Sequence, residues 1–364
     1  MKFNHDQCYA IIKSRDARFD GRFFTAVKTT GIYCRPICPA RKPLSKNVQF
    51  YATAAAAAKA GFRPCLRCRP ESSPGMADWL DSSDIVSRGV RLIDEGVFDE
   101  AGVAGLAARL HVSSRQLQRL FNQHLGATPV AVAQTRRALF ARKLIKETTL
   151  PMTEIALSAG YKSIRRFNAT IKATYGNSPT AYRKLLDDDG RKAAFTKEQA
   201  SFIELRLTYR PPYDWDAFFQ FMRARAIPGV EWVDGWDYSR TISIGGKSGV
   251  VVIRPLPSKN SLLLKVPIHL SGELLQIVEK IGRCFDLGAD PLEIDRYLRQ
   301  DTELVSRITL RPGLRVPGSW DGFELAVRTI LGQHVQNVVR NVPAFSVQIR
   351  CSFEDRAIKR NHPG

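Results

Sequence analysis

The spacing of apolar residues changes character three times along the chain. Residues 1–70 mix short apolar runs, such as Phe23-Phe24-Thr25-Ala26-Val27, with turn residues. Within them Ala52–Ala60 is nearly all alanine and predicts a short helix. Glu71–Ser83, built of Ser, Pro, Gly and Asp, reads as a linker. From Ile85 to Leu186 the spacing is helical throughout, as in Val103, Leu106, Ala107, Leu110 and then Leu117, Leu120, Phe121. Asp187-Asp188-Asp189-Gly190 ends that region, and a second linker runs to about Ala200. Phe202–Leu207 and Thr241–Ile244 alternate like strands, whereas Trp215–Ala226 and Glu273–Phe285 have helical spacing. Trp215, Phe218, Phe219 and Phe221 are expected in a core. Phe323–Leu331 is again helical, and periodicity fades beyond Gln336.

The helical region contains two similar units. In the first, Val103–Ala108 predicts a supporting helix, His111-Val112-Ser113 a turn, and Ser113 or Ser114 the cap of a helix through Phe121. In the second, Met152–Ala156 leads through Ala159-Gly160-Tyr161 to a helix around Ile164–Ala173, with the glycine permitting the tight turn. The exposed faces would be Ser113, Ser114, Arg115, Gln118 and Arg119, then Ser163, Arg165, Arg166 and Asn168. Such side chains suit base edges and phosphates. Two such helices about 50 residues apart could enter successive major grooves. An ordinary helical bundle with polar faces would have the same periodicity.

Charge narrows the choice. Lys and Arg number 55 against 35 acids, a net charge of +20, which favours a polyanionic partner over a merely soluble basic protein. Residues 1–75 hold 14 of those cations and 4 acids, so half the surplus sits in a fifth of the chain. No apolar run approaches the roughly 18–20 residues that span a membrane. Met1–Asp20 lacks the apolar centre of a signal peptide. The expectation is a cytoplasmic protein with no membrane partner. The chain has seven cysteines; structural disulfides are rare there, so the clustered ones should bind metal or act chemically.

Four of them form two close pairs, Cys34-x3-Cys38 and Cys65-x2-Cys68, separated by 26 residues. Four thiolates at such spacing can close a tetrahedral Zn2+ site, and spacing alone leaves a purely structural knuckle open. The surrounding run is Asp20-Gly21-Arg22-Phe23-Phe24, Thr29-Thr30-Gly31-Ile32-Tyr33-Cys34-Arg35-Pro36, Cys38-Pro39-Ala40-Arg41, Phe50-Tyr51 and Gly61-Phe62-Arg63-Pro64-Cys65. It closely resembles the Ada family of methyl-phosphotriester acceptors over nearly all of residues 1–70. The resemblance implies that Cys34 both ligates zinc and accepts a methyl group from an alkylated DNA phosphate, with Cys38, Cys65 and Cys68 completing the site. It also marks Thr30, Arg41 and Arg63 as phosphate-contact candidates. Cys8 lies outside the pattern and is expected to be a buried apolar residue.

Leu117-Gln118-Arg119-Leu120-Phe121, Gly126-Ala127-Thr128-Pro129, Ile155-Ala156, Gly160-Tyr161, Phe167-Asn168 and Tyr175–Arg183 look like both halves of an AraC-type regulator domain. That resemblance implies promoter DNA and RNA polymerase as partners. Ile164-Arg165-Arg166 departs from the usual Ser-rich helix start, which bears on the operator sequence. Leu205–Leu207, Tyr209–Trp215, Ala224–Glu231, Arg311–Gly318 and Phe323–Gln333 resemble the front of AlkA-type 3-methyladenine glycosylases over residues 202–336. Gln333 and His334 fall at that family's duplex wedge. Its helix-hairpin-helix and catalytic Asp are not visible, so the glycosylase is expected to be incomplete and inactive, with an aberrant tail.

The expected fold is multidomain α+β. It comprises a small four-cysteine zinc domain (1–75), an all-α double helix-turn-helix domain (84–186), a glycosylase-like N-terminal α+β domain (200–310), and the start of a truncated helical domain (311–364). The expected function is a transcriptional regulator activated by direct repair of methyl phosphotriesters, with Cys34 a stoichiometric acceptor. The alternatives are a working 3-methyladenine glycosylase with regulatory domains, and a structural zinc regulator without methyl transfer.

Overall fold

The short apolar runs near the N-terminus form a small sheet closed by two helices. The computed structural model describes residues 3–74, 84–187 and 201–339. Asn4 starts helix α1 (His5–Ser14) with a reciprocal capping box: it accepts from the Gln7 backbone at 2.9 Å, and the Gln7 side chain accepts from its own. The helix buries Cys8 and Ile12 against Phe23, with Phe3, Phe19 and Phe50 around them. Cys8 is therefore a core residue, as its position outside the paired-cysteine pattern led one to expect. Strands β1 (Phe24–Val27), β2 (Ile32–Cys34), β3 (Val48–Tyr51) and β4 (Arg63–Pro64) pair in the order β3-β1-β2-β4. The alanine run forms α2 (Ala54–Lys59), capped by Thr53. Its small side chains allow close packing: Ala57 enters the sheet's core, and Ala55 joins the core of the helical region.

That region contains α3 (Asp84–Asp94), α4 (Val97–Arg109, interrupted at Gly102), α5 (Ser114–Leu125), α6 (Pro129–Glu147), α7 (Met152–Ser158), α8 (Ile164–Tyr175) and α9 (Pro179–Asp187). The apolar stripe read from the sequence is the core: Leu106, Leu110, Leu117, Phe121 and Leu125 are buried with Val86 and Ile93. Gly126 and Gly176 end α5 and α8 in left-handed conformations, at φ 71° and 82°, that most side chains avoid. The 19-residue α6 joins the two halves and buries ten of its residues, Arg142 and Lys143 among them.

Farther on, β5 (Phe202–Thr208), β6 (Glu231–Asp234), β7 (Asp237–Ile244), β8 (Lys247–Leu256) and β9 (Ser261–Pro267) make an antiparallel sheet ordered β5-β9-β8-β7-β6. With it go α10 (Trp215–Arg225), α11 (Leu274–Cys284), α12 (Pro291–Leu298) and α13 (Thr302–Leu310). Trp215, Phe218 and Phe219 are buried as expected. Phe221 is not: it is 41% exposed, with the Arg225 guanidinium 3.9 Å from its ring centre. Two residues past Phe219, it points about 200° around the helix from that buried side chain, and the cation–π contact covers it instead. Among the described residues, those up to Gly318 form one compact unit and those from Ser319 another. In the second, α14 (Gly322–Val339) exposes Phe323, Leu325 and Ile330 over half their surfaces or more.

The Glu71–Ser83 stretch is only partly a linker. Pro70–Ser72 is a tight helical turn, and the Glu71 side chain is 1% exposed against Arg142 of α6. Residues 75–83 lie outside the described set. Glu71 belongs to a series of buried ions at the seams of residues 3–318. Arg22 meets Asp290, and Arg35 meets Asp20. Arg210 donates to the carbonyls of Asp20 and Gly288, each at 2.7 Å. Burial pushes Arg210 down to about 10, against the pull of Asp290 and Asp20.

A buried charge stripped of its partner costs far more than an exposed one. Asp290 also caps α12, accepting from the Glu293 backbone, a role asparagine can keep. Asp290→Asn should therefore destabilise the protein by about 3 kcal/mol, because the buried Arg22 guanidinium loses the negative charge that balances it. Asp16→Asn, at the exposed Arg18 pair, should change stability by under about 1 kcal/mol. Urea melts of the two variants check this; equal shifts in midpoint would contradict it.

Candidate metal centre and nucleic-acid interface

Strand pairing gathers the four cysteines. β2 and β4 run parallel with Ile32 opposite Arg63 and Tyr33 opposite Pro64, so Cys34 and Cys65 leave the sheet side by side. Bonds from Arg63 N to Gly31 O at 2.8 Å and from Cys65 N to Tyr33 O at 2.9 Å fix that register. A turn closed by Cys38 N to Arg35 O at 3.1 Å returns Cys38 to the same place. The four sulfurs all lie within 4.8 Å of one another, and Cys38 and Cys65 are 4.0 Å apart. A tetrahedral zinc with bonds of about 2.3 Å would set its sulfurs about 3.8 Å apart, so the cluster has the size and donor chemistry for a metal ion. Cys65 and Cys68 are buried, whereas Cys34 and Cys38 are half-buried.

Hydrogen bonding to Cys38, Cys65 and Cys68, and then burial, holds Cys34 well above the usual thiol range. Hydrogen bonds with Cys34 and then Cys38 and Cys68 hold Cys65 far below it. The Arg35 backbone N–H donates to the Cys68 sulfur at 3.3 Å. The Arg35 side chain bonds both Asp20 oxygens and donates to the Cys68 carbonyl at 3.0 Å. Arg35 and Asp20 thus hold both cysteine loops, a role that sequence reasoning missed. Asp20 lies 14 residues before Cys34, and no spacing rule connects it to the cluster.

Thr30, Arg41 and Arg63 are all exposed. Thr30 is in the β1–β2 turn and Arg63 pairs beside it through Gly31. Arg41 is on the separate loop after Cys38, which the Arg15 side chain tethers at the carbonyls of Pro39 and Ala40.

The helices α5 and α8 present matching faces. Ser113 is the cap of α5, accepting from Gln116 N at 3.2 Å, while Ser114 is half-buried in the first turn. Ser163 caps α8, accepting from Arg166 N at 3.5 Å. Arg115, Gln118 and Arg119 are exposed on α5, and Arg165, Arg166 and Asn168 on α8. Counted from each cap, Arg115 matches Arg165 and Gln118 matches Asn168. The side chains of Gln333 and His334 lie outside the described residues.

Comparison with known proteins agrees segment by segment. The metal binding domain of Ada matches residues 7–71, a helix-turn-helix domain residues 106–185, and the AlkA N-terminal domain residues 204–321. The probable bifunctional transcriptional activator/DNA repair enzyme AlkA of Mycobacterium tuberculosis is 42% identical over 338 residues, 92% of this chain and 66% of that protein. The chain thus spans just under two thirds of that relative. The bifunctional transcriptional activator/DNA repair enzyme AdaA of Bacillus subtilis is 31% identical over 182 residues, 50% of this chain and 83% of its own length. The chain belongs to the Ada family of bifunctional transcriptional activator/DNA repair proteins. DNA-3-methyladenine glycosylase 2 of Escherichia coli is 36% identical over 130 residues, 35% of this chain and 44% of that enzyme. This Ada-family chain thus carries an AlkA-type segment behind its metal-binding and helix-turn-helix modules. No helix among its described residues is long and apolar enough to cross a membrane.

Proposed function

We propose that this protein is a DNA-binding transcriptional regulator that accepts a methyl group from an alkylated DNA phosphate on Cys34. The observation that carries the reading is the position of Cys34, half-buried at the end of β2 within an all-sulfur cluster. Zn2+ held by Cys34, Cys38, Cys65 and Cys68 would keep the sulfurs as thiolates at neutral pH. The Cys34 sulfur attacks the methyl carbon; an S–C bond forms and the bond between that carbon and its phosphate oxygen breaks, while the P–O bond stays intact. The electron pair stays on the phosphate oxygen, so the triester returns to an ordinary diester. Thr30, Arg41 and Arg63, exposed on the same small domain, grip the backbone. Methylating Cys34 also removes one negative charge from the face that meets DNA, which strengthens binding without a large shape change.

The faces of α5 and α8 supply sequence recognition: Ser114, Arg115, Gln118 and Arg119 in one groove, Ser163, Arg165, Arg166 and Asn168 in the next. The caps leave the Ser163 hydroxyl partly occupied, so the arginines and amides carry most of the base contact. In this reading the domains are 1–75, 84–186, 200–310 and 311–364, RNA polymerase is the partner at promoters, and the protein works in the cytoplasm. The names of the Ada-family relatives support both halves of the function.

The AlkA-type segment is assigned no base excision of its own. Cleaving the glycosidic bond needs a carboxylate beside the sugar. In residues 319–339 Asp321 accepts from the backbones of Phe323 at 2.7 Å and Glu324 at 3.0 Å, capping α14, and Glu324 pairs with Arg328 at 2.5 Å. Both acids are engaged in holding the helix. Methylated DNA incubated with the 364-residue chain should release 3-methyladenine only at background. Release that disappears in Asp321→Asn would overturn this assignment.

The switch has its own test. Binding to a promoter duplex, titrated at several salt concentrations, should show a steep negative slope of log affinity against log salt. Prior exposure to methyl-phosphotriester DNA should raise the affinity about tenfold or more in wild type and leave Cys34→Ala unchanged. Equal binding before and after methylation would contradict the mechanism.

A further inference from the structure

Arg142 lies on α6, yet three of its four hydrogen bonds cross to the cysteine domain. Its side chain is completely buried. Nη1 donates to Cys65 O at 2.9 Å and to Glu71 at 2.8 Å, and Nη2 donates to Leu66 O at 3.1 Å. Nε donates at 2.8 Å to the hydroxyl of Tyr182 on α9. Tyr182 stacks on Tyr175, the last residue of α8, with centroids 5.3 Å apart, and the guanidinium lies 5.4 Å from the Tyr175 ring. One planar group thus touches the loop Cys65-Leu66-Arg67-Cys68 on one side and the helices of the second helix-turn-helix half on the other.

Stability alone does not call for such a group, since a buried ion pair is often no better than well-packed apolar side chains. A guanidinium offers fixed, diverging donors, which a lysine or an apolar residue cannot. We propose that Arg142 is a positioning residue that couples the state of the cysteine cluster to α8 and α9, through Tyr182 and Tyr175. A change at the cluster that moves the 65–68 loop shifts the two carbonyls, and the rigid fork transmits the shift to the Tyr182 hydroxyl. By linkage, whatever orders α8 and α9 favours the same state of the cluster. This inference rests on the reading of the cluster as a zinc site.

Hydrogen–deuterium exchange of the full chain tests it, with Zn2+ bound and after removal by a chelator, the metal content of each sample being measured. Exchange reports local opening, so coupling appears far from the ligands. In wild type, zinc removal should speed exchange about fivefold or more within residues 164–187 as well as around the cluster. In Tyr182→Phe, which keeps the ring and loses only the hydroxyl, zinc should still bind, but the difference within 164–187 should fall below about twofold. Arg142→Lys, which keeps the charge but not the fork, should behave likewise. A merely structural role would raise exchange in both variants equally with and without zinc. Zinc effects confined to residues 31–70 in wild type, or fully retained in both variants, overturn the coupling while leaving the zinc site standing. A wild-type chain that holds no zinc overturns the metal reading and the coupling with it.

Discussion

A guanidinium taken out of water must be met by an anion or by several hydrogen-bond acceptors, or the segment carrying it does not stay buried. Arg22, Arg35, Arg142 and Arg210 are each at most 7% exposed, and each answers to groups far away in the chain. Arg142 ties α6 to the second cysteine loop and to Glu71. Arg35 ties the first cysteine loop to Asp20. Arg210 holds the Asp20 backbone against the carbonyl of Gly288, and Arg22 meets Asp290 close by. The segments at these seams therefore cannot drift apart without exposing or stranding charge. The cysteine cluster sits where two of these links meet, at Cys65 and Cys68.

This explains how a domain as small as the cysteine module can hold two cysteine loops in place. Its apolar clusters are few: Phe24, Ala26, Tyr33 and Ala57 on one side of the sheet, Cys8, Ile12 and Phe23 on the other. Backbone pairing sets the register of β2 and β4, and the buried arginines hold the loops that follow. Cys34 stands with Cys38 at the better exposed side of the cluster as a result, where a nucleophile can be reached. The helix-turn-helix faces, in contrast, need only caps and an apolar stripe, because α5 and α8 are ordinary amphipathic helices with matching polar positions.

Features set by local rules were legible in the sequence. The paired spacing of Cys34, Cys38, Cys65 and Cys68 announced a cluster, and the stripe from Leu106 to Leu125 announced helices whose buried face the structure keeps. Of the two candidate caps of α5, propensity could not choose, and the backbone of Gln116 chose Ser113. Alternation found Thr241–Ile244 but not the start of β7 at Asp237, because pairing with β6 and β8 decides where that strand begins. Glu71 read as linker because its composition is that of a turn. Its partner Arg142 is 71 residues away, and only the folded chain shows why an acid is there. Phe221 read as core along with its aromatic neighbours Trp215, Phe218 and Phe219, while the helix turned it toward Arg225. What was missed is thus mostly charge buried at seams, which leaves no period in a sequence.

The central claim is that Cys34, and not its neighbours, is the acceptor. The direct measurement is peptide mapping by mass spectrometry of the zinc-loaded chain after incubation with excess methyl-phosphotriester DNA. The account predicts a single added methyl, about 14 Da, on the peptide carrying Cys34, with fragmentation placing it on that sulfur and the Cys38, Cys65 and Cys68 sites unmodified. A methyl spread over the four cysteines, or none on a chain with its zinc in place, would contradict it.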